Sequence, residues 1–161
     1  MSASHEFILG EFPRTIDERF RLSLPAELLA GLGADGTECI LAKERPGCLS
    51  LWSAETWQAK LDAGVELVKA KMRAGKLEGQ LGQVQLLGRL LSTRHRPVQL
   101  AGRGRLLIPE GFREVLAVEP GGDVLVLGAA VCVEIWNPAT WLKYLEGRMP
   151  RFRRLFDRLT R

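Results

Sequence analysis

Apolar and polar positions alternate along two short stretches of the chain, RFRLSLP from Arg19 and RGRLLIP from Arg103, and each stretch ends in proline. Period-two alternation predicts a half-buried strand. A short helix follows each, AELLAGLG and EGFREVLAV, with Pro25 and Pro109 suited to a first helical position and Gly33 to a left-handed stop. Two brief strands come next in each case, ECILAKE and CLSLW, then DVLVLG and VCVEIW, separated by the turn signals RPG and GAA. Within CLSLW, Cys48, Ser50 and Trp52 would face one side and Leu49 and Leu51 the other.

Helices close each unit. Ser53 and Asn137 suit N-caps, with Pro138 in the first turn behind Asn137. After Ser53, the residues Trp57, Leu61, Val65 and Val68 recur at helical spacing. A further helix is predicted from Gln80 to Ser92. The last helix, WLKYLEGRM, is followed by PRFRRLFDRLTR, in which Phe152, Leu155, Phe156 and Leu159 share one face and the arginines take the others. Packing of that segment on its own domain is the favoured expectation, ahead of a partner-binding or membrane-surface helix.

Sliding the chain against itself by 84 residues aligns Arg19–Leu61 with Arg103–Leu145 without a gap. Eleven of the 43 positions are identical: Arg19/Arg103, Arg21/Arg105, Leu22/Leu106, Pro25/Pro109, Leu32/Leu116, Leu41/Leu125, Cys48/Cys132, Trp52/Trp136, Thr56/Thr140, Trp57/Trp141 and Leu61/Leu145. Chance gives roughly three identities in such a window, and two of these pairs use all four tryptophans. The chain is a duplication of one β-rich unit. A half-module of four short strands has unpaired edges and little core, and two copies pairing into one pseudo-symmetric β-barrel would remove both problems. The expected class is α+β, mainly β, with helices after each module. The expected boundaries are 5–53 for the first module, 54–92 for a helical spacer, 93–137 for the second module and 138–161 for a C-terminal helix and basic tail.

Composition narrows the function classes. The net charge is +4, with Arg94, His95, Arg96, Arg103 and Arg105 clustered mid-chain and six arginines between Arg148 and Arg161. That is a mild bias toward polyanions. The three cysteines (Cys39, Cys48 and Cys132) form no C-x-x-C pair, and with only His5 and His95 they cannot assemble a zinc site of the usual spacing. Buried, inert thiols are expected. No metal or other cofactor is called for. The sequence has no G-x-S-x-G, no Walker-type phosphate loop and no paired histidines, so no catalytic residue is assigned and the chain does not read as an enzyme. No apolar run reaches the roughly 18–20 residues that span a bilayer, and the first residues do not read as a signal peptide, so a cytoplasmic protein is expected.

The string TIDERFRLSLP and its repeat QLAGRGRLLIP resemble the tandem D-x-x-x-R signature of MraZ proteins, with CLSLWS, VEIWNPATW and the two-helix spacer in support. The resemblance covers about residues 5–145. It implies two tandem swapped-hairpin modules of the AbrB-like type. It also implies a nucleoid-associated transcriptional regulator of the division and cell-wall gene cluster, assembled as a ring-like homo-oligomer that binds direct repeats in double-stranded promoter DNA. The motif matches at Asp17 and Arg21, so the DNA-binding role carries to Arg21 and its neighbour Arg19, to Arg105 and Arg103 in the second copy, and to Arg14 beside the first motif. Asp17 is expected to orient an arginine or cap a turn. Two positions depart from the pattern. Ala101 stands where the second acid would be, and Phe20 occupies the position that is glycine at Gly104. A bulky side chain is costly at positive φ, so a differently shaped first loop is expected.

The chemistry agrees with that implication. The arginine fork matches guanine O6 and N7 in the major groove and also pairs with phosphates. Arg19 and Arg21 alternate on a β-like stretch, as do Arg103 and Arg105, so each pair is expected to project to one face. A two-stranded ribbon fits the major groove. The competing reading is an antitoxin-like AbrB-fold protein or interaction module working through the basic C-terminal helix. Membrane association through residues 150–161 ranks third, and no membrane partner is expected.

Overall fold

The computed structural model describes residues 7–33 and 38–161. Residues 5 and 6 of the first expected module (His5 among them) and its residues 34–37 lie outside the described residues. In chain order the elements are β1 (Glu11–Thr15), β2 (Arg21–Ser23), α1 (Ala26–Gly31), β3 (Glu38–Arg45), β4 (Cys48–Ser53), α2 (Ala54–Arg73) and α3 (Leu81–Thr93). The second half continues with β5 (His95–Gln99), β6 (Arg105–Leu107), α4 (Arg113–Leu116), β7 (Asp123–Gly128), β8 (Val133–Trp136) and α5 (Pro138–Thr160).

Six strands form one antiparallel sheet in the order β1-β7-β8-β4-β3-β5, and β2 pairs with β6 in a separate ribbon. The expected closed barrel is not formed. β2 and β6 each follow a residue at positive φ, Phe20 at 59° and Gly104 at 83°, so the chain turns out of the main sheet and the two short strands pair with each other. The sheet stays open at β1 and β5. Both of these edge strands carry a proline, Pro13 and Pro97, and proline lacks the N–H that would recruit a further strand.

The pairing is two-fold symmetric about the repeat. Each copy's first strand is hydrogen-bonded into the other copy's hairpin, β1 on β7 and β5 on β3. On the axis each residue faces its own repeat equivalent: Ser50 opposite Glu134 in the β4–β8 pair, and Leu22 opposite Leu106 in the ribbon. One detail departs from the ungapped repeat. Leu41 is flanked by Leu51 and Arg96, whereas Val126, not Leu125, is flanked by the equivalent Ile135 and Phe12. β3 is displaced by one residue, and a bulge between Lys43 and Arg45 restores the register.

Two apolar layers hold the sheet. On one face Leu49, Leu51, Val124, Val126 and Ile135 pack against Leu22 and Leu106 of the ribbon, Leu28 of α1, and Phe112 and Leu116 around α4. On the other, Trp52 meets Trp57 of α2 with ring centroids 5.7 Å apart, and Trp136 meets Trp141 of α5 at 5.1 Å. The two buried indoles are satisfied alike, Trp52 Nε1 donating to Ser50 Oγ and Trp136 Nε1 to Glu134 Oε1, each at 2.9 Å. All three cysteines are buried and unpaired, and burial raises each thiol's pKa, Cys132 to about 12.

The helices mostly follow the sequence. Ser53 Oγ caps α2 by accepting from Thr56 N, and Asn137 Oδ1 caps α5 through Ala139 N and Thr140 N. Gly33 has the left-handed φ of 63° after α1. The second-copy helix is shorter than expected, because α4 begins only at Arg113, four residues beyond Pro109. Ala117, at φ 59°, takes Gly33's place as its stop. The α2 stripe of Trp57, Leu61, Val65 and Val68 faces Leu87 and Leu91 of α3 across a cleft of about 260 Å³. The expectation for the C-terminal segment is overturned. α5 is one helix that continues through Pro150, and residues 151–161 are exposed rather than packed on the domain. Its half-buried positions end at Met149, so Phe152, Leu155, Phe156 and Leu159 have no sheet beneath them. No helix of the described residues is long and apolar enough to cross a membrane.

Candidate nucleic-acid interface

The ribbon is amphipathic by strand periodicity. Leu22 and Leu106 point into the core at 1% and 0% exposure, while Arg21 and Ser23 of β2 and Arg105 and Leu107 of β6 alternate onto the outer side. Arg21 stands opposite Leu107, and Arg105 opposite Ser23. The two arginines are repeat equivalents, so the pseudo-two-fold axis between Leu22 and Leu106 places one guanidinium on each half of the same face.

The turns leading into the ribbon are built differently in the two copies. In the first, Asp17 N donates to Arg21 O at 3.0 Å, and Asp17 Oδ1 accepts from Arg19 N at 2.8 Å and Arg21 N at 2.9 Å. Its other oxygen, Oδ2, accepts from Arg21 Nε at 2.9 Å. The Asp17 carboxylate thus bridges the turn to the Arg21 side chain. Nε is occupied, and both terminal nitrogens of Arg21 are without a hydrogen-bond partner among the described residues. The N–H of Arg21, then that of Arg19 and the Arg21 guanidinium, hold the Asp17 carboxyl below its ordinary range. This exposed ion pair contributes little to stability and much to direction. In the second copy, Ala101 and Arg105 exchange two main-chain hydrogen bonds of 2.9 Å, and Arg105 has no carboxylate partner among the described residues. Its guanidinium lies by the turn, with Nη2 3.7 Å from where a Cβ on Gly102 would be.

The turns nevertheless share one backbone feature at the loop residue that differs between the copies. Phe20 and Gly104 are both left-handed, and their carbonyls accept from Ile108 N and Leu24 N at 2.9 Å in equivalent bonds. Compensation comes from the opposite copy. The guanidinium of Arg113 lies 4.2 Å from the Phe20 ring centroid and its Nε donates to Ile108 O at 2.7 Å. At the symmetric place, Leu29, the equivalent of Arg113, fills the space beside Gly104 so fully that a Cβ there would meet Leu29 Cδ1 at 2.4 Å.

Of the sequence-predicted residues, Arg21 and Arg105 come together on the ribbon. Arg19 and Arg103 are exposed in the turns before it and do not continue the strand alternation, because positive φ at Phe20 and Gly104 interrupts it. Arg14 is elsewhere. It is on β1 of the main sheet, where Nη1 donates to Pro13 O at 2.9 Å, and it borders a groove of about 610 Å³ against Trp141, Leu142 and Leu145 of α5. Arg113 was missed. Its signal was an arginine aligned with Leu29 on the apolar side of a helix that is otherwise similar in both copies.

The C-terminal part of the chain is similar to a known protein family. The family described as "MraZ protein, putative antitoxin-like" matches residues 95–161. The chain is 28% identical over 151 residues to the transcriptional regulator MraZ of Heliobacterium modesticaldum, covering 94% of this chain and 95% of that protein. It is 28% identical to the protein of the same name from Treponema denticola, covering 89% and 90% of the two chains. The solution structure of PHS018 from Pyrococcus horikoshii aligns over 83% of this chain and 97% of that one, at 14% identity and a TM-score of 0.33.

Proposed function

We propose that the chain is a member of the MraZ family, on its similarity to proteins of that name, and a DNA-binding transcription regulator that reads sequence through the β2–β6 ribbon. The relatives are named transcriptional regulators, which supports a regulatory rather than an enzymatic role. The observation that carries the reading is the outer face of the ribbon, with Arg21 and Arg105 one on each half and Arg19 and Arg103 at its two ends. A ribbon of two short strands fits the major groove, arginine is the side chain best matched to a guanine edge, and the end arginines suit the flanking phosphates. Arg14 belongs to the reading only as a phosphate contact from β1.

The finer elements follow the family resemblance. In this reading the target is the division and cell-wall gene cluster, and the sites are short direct repeats bound by several copies at once. One ribbon offers few contacts, so repeated sites read by a self-associated protein supply the affinity by multivalency. Exposed Leu81, Leu86 and Leu90 on α3, with the apolar face of α5 beyond Pro150, support self-association into a ring-like homo-oligomer. The swapped pairing of β1 and β5 supports the AbrB-like description of the two modules. A second reading, an antitoxin-like interaction module, is favoured by that same α5 face with its arginines.

The test is fluorescence polarisation with DNA from upstream of the protein's own gene, comparing wild type with Arg21→Ala and Arg105→Ala against scrambled DNA over a salt series. Each substitution should weaken sequence-preferring binding by roughly 5- to 150-fold, the range of one bidentate arginine–guanine contact. Equal binding to scrambled DNA, unmoved by either substitution, would refute the reading and leave non-specific charge attraction.

A further inference from the structure

We infer that Leu107 is a specificity-determining residue that recognises the C5-methyl of a thymine beside the base contacted by Arg21. The inference rests on the DNA-binding reading above. Leu107 is 54% exposed, while its strand neighbours Leu106 and Ile108 are both at 0%. It is not a member of either apolar layer, and it stands on the outer face directly opposite Arg21. Its repeat equivalent is Ser23, which stands opposite Arg105. The two arginines are therefore equivalent, and the residue facing each is not.

An aliphatic side chain among arginines is unfavourable in water and has one matching group in the major groove. The thymine methyl is the apolar feature of the base edges there. Directly opposed residues on an antiparallel pair have Cβ atoms about 4.5–5.5 Å apart, and base pairs rise by about 3.4 Å, so Arg21 and Leu107 reach neighbouring base pairs. Ser23 can make only polar contacts at the mirror position. One half of the ribbon thus reads guanine with an adjacent thymine, and the other reads guanine without that requirement. The bound site acquires a direction, which a symmetric ribbon could not impose.

The experiment replaces each thymine of the upstream duplex in turn by uracil, which differs only by the missing methyl, and measures affinity by fluorescence polarisation with the full chain. At one thymine per site, wild-type binding should weaken roughly fourfold, the factor carried by burial of one methyl. Leu107→Ser should bind the thymine and uracil duplexes equally at that position while keeping its dependence on Arg21 and Arg105. Ser23→Leu should create a second methyl-sensitive thymine in the opposite half-site, an arm that does not depend on how Leu107→Ser folds. If wild type is insensitive to uracil everywhere, or Leu107→Ser keeps the same sensitivity, the assignment of Leu107 is overturned while the DNA-binding reading stands. If wild type shows no sequence preference and ignores Arg21→Ala and Arg105→Ala, both are overturned together.

Discussion

Replacing Gly104 by alanine should destabilise the fold by about 1–3 kcal/mol through two separable effects. The first is conformational. Gly104 sits at φ 83°, and an L residue in the left-handed region costs roughly 1–2 kcal/mol, less the ~0.4–1 kcal/mol that alanine returns by restricting the unfolded chain. The second is steric. The new Cβ would lie 2.4 Å from Leu29 Cδ1 and 3.4 Å from Leu24 O, so Leu29 must turn away from a site that is already filled, at about 0.5–1.5 kcal/mol. Gly111→Ala is the control. Its φ is 88° and nothing lies within 4 Å of its Cβ position, so it bears the conformational cost alone. In thermal melts followed by circular dichroism, Gly104→Ala should fall roughly 2–4 °C for each kcal/mol. Adding Leu29→Ala should recover the steric part, giving a favourable coupling of about 1 kcal/mol in a double-mutant cycle. Equal effects of Gly104→Ala and Gly111→Ala, with no coupling to Leu29, would refute the account of this loop as filled from the opposite copy.

Two further outcomes follow from the helix caps and the axis. Asn137→Ala should cost about 1–2 kcal/mol, because Asn137 caps α5 and its Nδ2 also donates to Leu116 O and Ala117 O at the end of α4. Ser53→Ala, which removes only the bond from Thr56 N, should cost less in the same chemical denaturation. Glu134→Gln should stabilise the protein near neutral pH and not at about pH 4. Burial raises the Glu134 pKa, so the folded state favours the protonated form. Stability tied to that proton is complete below the unfolded pKa and is lost as pH rises through the folded one. Glutamine keeps an acceptor for Trp136 Nε1 without the charge, so the two proteins should converge on acidification. A constant difference across pH would contradict this.

Much of this architecture was legible because it is periodic. The strands β3, β4 and β7, the capped starts of α2 and α5, and the duplication itself follow from alternation, capping residues and an 84-residue offset. What escaped depends on partners distant in sequence. An ungapped alignment pairs Leu41 with Leu125, yet the hydrogen-bonded neighbours pair Leu41 with Val126, since a bulge is invisible to residue identity. The open sheet was missed because the value of Pro13 and Pro97 at two edges is apparent only once β1 and β5 are known to be edges. At the site, the bonds of the Asp17 carboxylate are local, reaching Arg19 and Arg21 within four residues, and a D-x-x-x-R spacing encodes contacts of that kind. The stacking of Arg113 on Phe20 joins residues from different copies, and no local pattern encodes it.

The exchange of first strands also bears on how the chain is made. β1 finds its partner in β7, with Glu11 opposite Leu127, so β1 waits for a strand synthesised much later. At roughly 5–20 residues per second that wait is on the order of ten seconds, during which β3 and β4 form a hairpin without its flanking strands. Loop closure over such a separation is slow as well as late. The proline in β1 therefore acts twice. It guards an edge of the finished sheet, and before that it makes the nascent strand a poor template for neighbouring chains on the same message.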